Sequence, residues 1–138
     1  MTFILDTDVL SALRRPDRNR MAQAWLAQQS PTDVYLSVLT LGEIRRGVEK
    51  RLRVDPAAAA VIDAWLSQIK LFYRNRILPI DDAVSEMWGR ITVTNPHNLS
   101  DALIAATALV RGFSVVTRNV AHFADRGVAI INPFEQAP

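Results

Sequence analysis

The chain contains no cysteine. That excludes a disulfide framework, a thiolate nucleophile and a zinc site built on cysteine. Long apolar runs are missing too, because arginine, aspartate, glutamine or proline interrupts each one; no segment is expected to cross a bilayer. No basic stretch leads into an apolar one at the N-terminus, so no secretory signal is expected. These absences fit a cytoplasmic protein without a membrane partner. Lysine is scarce: Lys50 and Lys70 are the only two, and the rest of the sixteen basic residues are arginine. Arginine's planar fork matches phosphate oxygens, although solvated helix faces account for the bias equally well. The histidines, His97 and His122, are not spaced as a helical metal pair, and no glycine-rich phosphate loop is present.

What is present is globular. The chain has 138 residues, 49% of them hydrophobic and 22% charged, with a formal charge of +2. One domain spanning 1–138 around one core is expected. Short β-branched or aliphatic runs predict strands over 2–6, 34–37, 77–80, 113–117 and 128–131. Helical patterns fill the gaps over 9–14, 20–28, 39–51, 56–73, 83–91 and 101–111. Asp55 is expected to cap the helix that Pro56 opens, Ser100 the helix that carries Asp101, and Gly112 to end that helix in a left-handed turn. Alternating strands and helices predict an α/β domain with a mostly parallel sheet.

Sites in such sheets form beyond the carboxyl ends of the strands. In FILDTDVLS, residues 3–11, an apolar strand runs directly into Asp6. A helix cap needs one side chain, which Thr7 or Asp8 supplies, so Asp6 is left over for function. Arg118 and Asn119 take the matching position after FSVVT. In LTLGEIRRGVEK, Leu41, Ile44 and Val48 share a buried face while Glu43 falls at its boundary, beside Gly47. Pairing of Glu43 with Arg46, or a tight helix crossing at Gly47, would explain that motif without a site. Asp101 opens DALIAATALV, an almost wholly apolar helix whose burial brings its first turn toward the strand ends. Three carboxylates and an amide meeting at one sheet edge would repel one another and raise their own pKa values. A hard cation relieves that conflict, and oxygen ligands suit Mg²⁺ or Mn²⁺ rather than zinc. Held beside a basic surface, it points to hydrolysis of phosphodiesters.

The ordered blocks ILDTDVLSAL, YLSVLTLGEIRRGVE, ILPID, DALIAATAL and VVTRNVAHF resemble PIN-domain ribonucleases over nearly the whole chain, above all the VapC/FitB-like toxins of toxin–antitoxin pairs. The resemblance implies a three-layer α/β/α PIN-like fold and an Mg²⁺- or Mn²⁺-dependent endoribonuclease. It also implies a homodimer, a cognate antitoxin that joins it in a heterotetramer or larger assembly, and contact with operator DNA only through that antitoxin. Carried over by position, the catalytic residues are Asp6, Glu43, Asp101 and Asn119, with Asp6, Asp101 and Glu43 on the metal. Thr7 and Thr117 match small hydroxyl residues that help hold water or ligand. Two departures stand out. Asp8 replaces a more usual Asn, and the connection over 91–99, with TNPHN, is short. Apolar stripes at Met21, Ala24 and Trp25, and at Val61, Ala64, Trp65 and Ile69, are candidates for the dimer contact and the antitoxin groove.

Two other readings remain open at this level. DTDV after an apolar strand also resembles haloacid-dehalogenase-like phosphatases, with Asp6 as nucleophile, Asp8 as acid/base, and Ser37, Lys70 and Asp81-Asp82 in supporting roles. The other is a non-catalytic subunit that binds an antitoxin and is held at an operator.

Overall fold

The computed structural model describes residues 1–135. Its centre is a five-stranded sheet of β1 (Phe3–Leu5), β2 (Val34–Ser37), β3 (Ile77–Leu78), β4 (Ser114–Val116) and β5 (Ile130–Ile131). The strand order is β3-β2-β1-β4-β5 and every pairing is parallel. Parallel neighbours require crossovers, and helices supply them. These are α1 (Thr7–Leu13), α2 (Arg20–Ala27), α3 (Val38–Leu52), α4 (Pro56–Phe72), α5 (Asp82–Thr92), α6 (Leu99–Arg111) and α7 (Val120–Phe123).

Strand alternation divides the core into two halves. Phe3, Leu5, Val34, Leu36 and Val116 face one way, with Val9, Leu10, Ile44, Val48, Ala59 and Leu66 from α1, α3 and α4. Ile4 and Val115 face the other way, with Ile104, Ala105 and Ala108 from α6 and Phe123 from α7. Helices therefore cover both faces, giving the three layers expected.

Several local expectations change. The strands are shorter at their ends than their apolar runs; β3 and β5, each paired on one side, keep two residues apiece. Asp55 caps α4 as expected, accepting from the Ala58 amide at 3.1 Å, and Gly112 ends α6 at φ 73°. Ser100 does not cap α6. That helix begins two residues earlier than expected, after Asn98, whose left-handed backbone (φ 52°) makes the turn without a side-chain cap. Neither Thr7 nor Asp8 caps α1, because Asp6 itself holds the cap position and makes no side-chain cap bond. On α4 the buried stripe runs through Ala59 and Leu66, with Ile62, Trp65 and Ile69 packed beside it, while Val61 and Ala64 are exposed. Met21 and Ala24 are exposed as well, and Trp25 sets its ring edge-on to Phe3 at 5.0 Å.

Candidate metal centre

The strand order reverses between β1 and β4, and in open parallel sheets the crevice lies at that switch point. Leu5 is in register with Val116, so the next residues out, Asp6 and Thr117, emerge side by side. The Asp6 amide still donates to the Val116 carbonyl at 2.9 Å. The Thr117 hydroxyl donates to Asp6 Oδ2 at 2.8 Å, and its oxygen accepts from the Asn119 amide at 2.9 Å. Asn119 thus joins the site through its backbone, at the cap position of α7.

Asp6 is 3% exposed. Burial pushes its carboxyl up from 3.8 to about 6; the Thr117 hydrogen bond opposes this, the charge of Asp101 adds to it, the Thr7 amide opposes it, and the charge of Asp8 adds again. The acid is therefore buried, close to two other acids, and paired with no basic side chain: among the described residues, the ion pairs are Arg45–Asp63 and His122–Asp101.

Glu43 is held separately. The Thr7 hydroxyl donates to Glu43 Oε1 at 2.7 Å. Thr7 has one hydroxyl proton, so in the 2.9 Å contact between Thr7 and Thr40 it is the buried Thr40 that donates. The result is a directed chain from α3 through α1 and back to α3. Arg46 is not the partner of Glu43, and an added Cβ on Gly47 would meet nothing within 4 Å, so no tight crossing explains that glycine. Gly47 instead lines an open groove of about 550 Å³ with Thr7, Glu43, Arg14, Arg51 and Trp65.

Asp101 occupies the first turn of α6, as expected, and Oδ2 meets His122 Nδ1 at 2.6 Å. Sequence reasoning missed His122, because the histidines were weighed only as a pair with each other. Its place three residues past Asn119, one turn beyond the strand end, was the available signal. Arg118 turns away from the acids: its guanidinium lies 3.8 Å from the Phe134 ring centroid.

Among the described residues no three acidic or imidazole side chains stand together closely enough to enclose a cation. The donor chemistry nevertheless fits Mg²⁺ or Mn²⁺. Mg²⁺ keeps several waters and takes one or two carboxylates directly. Asp6 and Asp101 would supply two, with Glu43 bound to the Thr7 hydroxyl next along the chain from Asp6. The phosphatase reading loses its supporting residues: Ser37 caps α3 and Asp81 caps α5 with their side chains, and Lys70 sits in the last turn of α4.

A parallel sheet with a buried acid at its switch point gives an open α/β domain whose site lies beyond the strand ends. The PIN domain model matches residues 3–127, and the chain belongs to that family. It is 35% identical to Toxin FitB of Neisseria gonorrhoeae over 96% of this chain and 98% of that protein. It is 30% identical to the VapC ribonuclease Y4jK of Sinorhizobium fredii over 98% and 99%. The solved structure of FitAB bound to an IR36 DNA fragment superposes with a TM-score of 0.87 at 33% identity, over 99% of both chains.

Proposed function

We propose that this chain is the endoribonuclease toxin of a VapBC-type toxin–antitoxin pair, acting as one nuclease domain with Mg²⁺ or Mn²⁺ as cofactor. Ribonuclease chemistry follows from the PIN family and the VapC relative. The observation that carries the metal role is Asp6: a buried carboxyl pushed up to about 6, beside Asp101 and Asp8, with no basic side chain to balance it. Asp6 and Asp101 would hold the cation directly. When bound, the cation polarises the scissile phosphate, lowers the pKa of a water and neutralises developing charge.

The chain's own residues do the rest. Thr117 fixes one Asp6 oxygen and leaves the other for the cation. Glu43, oriented by the Thr7 hydroxyl, would reach the cation through water rather than directly. Asn119 brings a neutral amide to the same strand end, where it orients water rather than adding charge. An RNA substrate fits a cytoplasmic site of action.

Partner binding fits two features. The groove lined by Val61, Trp65, Arg14 and Arg51 also takes in Thr7 and Glu43, so an antitoxin segment lying there would cover that side of the site. Val93 and Leu99 expose apolar surface at the α5–α6 end, a face suited to a homodimer. FitAB is bound to a DNA fragment in its solved structure, which fits a reading in which this chain meets operator DNA as part of an assembly with its antitoxin.

The test is RNA cleavage by the isolated chain. Mg²⁺ or Mn²⁺ should support it and EDTA should abolish it. Asp6→Asn and Asp101→Asn should each lose about 100-fold or more, since each 1.4 kcal/mol of lost transition-state stabilisation is tenfold. Cleavage that survives exhaustive chelation overturns the metal role. No cleavage under any metal condition leaves the chain as a binding subunit.

A further inference from the structure

We propose that His122 is a positioning residue that fixes the orientation of the Asp101 carboxylate toward the cation. A carboxylate can only accept, so His122 Nδ1 carries the proton of the 2.6 Å bond to Oδ2. That bond occupies Oδ2 and leaves Oδ1 for the cation. No side chain caps α6, which starts from a left-handed Asn98, so among the described residues His122 is the side chain that fixes the Asp101 carboxylate. Imidazole and carboxylate are both partly shielded, at 39% and 20% exposure, so the bond is not simply exchanged for water.

The histidine is itself held. Arg126, 3% exposed, donates from Nε to the His122 carbonyl at 3.0 Å. Its terminal nitrogens donate to the carbonyls of His97 and Asn95, in the connection that leads into α6. One guanidinium fork thus ties the turn carrying His122 to the segment placing Asp101. Partners that orient a ligand in this way are worth about 10–100-fold in metal affinity. The inference rests on the reading that Asp101 holds the cation.

Mn²⁺ binding to the full chain without RNA, followed by electron paramagnetic resonance, tests it apart from catalysis. His122→Ala should bind Mn²⁺ about 10-fold more weakly than wild type while keeping its circular dichroism and melting transition. His122→Asn, whose amide can donate to Oδ2, should recover most of that loss. In cleavage, His122→Ala should lower kcat with little change in KM for RNA. Equal or tighter Mn²⁺ binding by His122→Ala overturns the role of His122, as does an asparagine variant no better than alanine. Asp101→Asn separates the two levels. If it binds Mn²⁺ as wild type does, the cation is not at Asp101 and both readings fall; if it weakens binding while His122→Ala does not, only the role of His122 falls.

Discussion

Asp6 and Asp63 are both aspartates beside helices, and their environments are opposite. Asp63, on α4, is 47% exposed and meets Arg45 of α3 at 2.8 Å. Asp6 is 3% exposed and meets a hydroxyl and other acids. The exposed pair shares its charge with water, and such pairs contribute little. The buried acid has lost its water without gaining a basic side-chain partner among the described residues. Charge is neutralised on the surface, where it hardly affects stability, and left uncompensated at the sheet's switch point, where a cation can use it.

The largest test of that contrast is neutralisation of Asp6. Its folded pKa of about 6 lies above the unfolded 3.8, so the native state holds the proton more tightly. Stability from this group is fully present below about pH 3.8, falls as pH rises and is lost above about 6. At 1.36 kcal/mol per unit the difference reaches about 3 kcal/mol at most. Apo Asp6→Asn should therefore be more stable than apo wild type at pH 7.5, with the gap closing toward pH 4 in denaturant titrations. Mg²⁺ should raise the wild-type melting temperature more than that of the variant, by linkage. A pH-independent gap would mean that Asp6 is not the strained group.

A smaller effect sharpens the contrast from the other side. Asn119→Asp adds an acid at the β4 end, so it should tighten Mg²⁺ binding and maintain or raise cleavage, while Asn119→Ala weakens both modestly. Asp8, which already adds negative charge beside Asp6, is the natural compensator. Combining Asp8→Asn with Asn119→Asp should return Mg²⁺ dependence toward wild type. Identical Mg²⁺ titrations for all four proteins would place Asn119 outside the site.

The smallest expected effect is at the surface. Arg45→Ala should barely move the melting temperature and should leave Mg²⁺ dependence unchanged, because the pair stands in solvent on the α3–α4 face. A large destabilisation would break the comparison, by making the exposed pair matter as much as the buried acid.

The order of strands and helices was legible in the chain because each longer element carries its own apolar period. The missed elements were too short to have one: single turns at Pro16–Arg18 and Pro31–Asp33, and the four-residue α7. Asp6, Asp101 and Asn119 were candidates because strand ends and helix first turns can be located locally, and Glu43 because it falls at the edge of a buried helix face. Which side chain each one pairs with was not legible, although the resemblance had already marked Thr7 and Thr117. Thr117 lies 111 residues from Asp6, Thr7 lies 36 from Glu43, and His122 lies 21 from Asp101. Arg118, expected at a strand end beside the acids, stacks on Phe134 instead, while Arg126, which no sequence motif singled out, bonds backbone carbonyls.

By itself, then, the sequence determined the alternation of elements, the apolar faces and the residue types able to hold a hard cation. Those properties depend on neighbours within a turn or a strand. The tertiary structure decided that β1 pairs with β4 at the sheet's centre, with Leu5 in register with Val116. From that one register follow the burial of Asp6, the Thr117 bond and the nearness of Asp101. Hydrogen bonds and buried charges act over a few ångströms in space, and only the packing of the sheet brings residues so distant in the chain within that range.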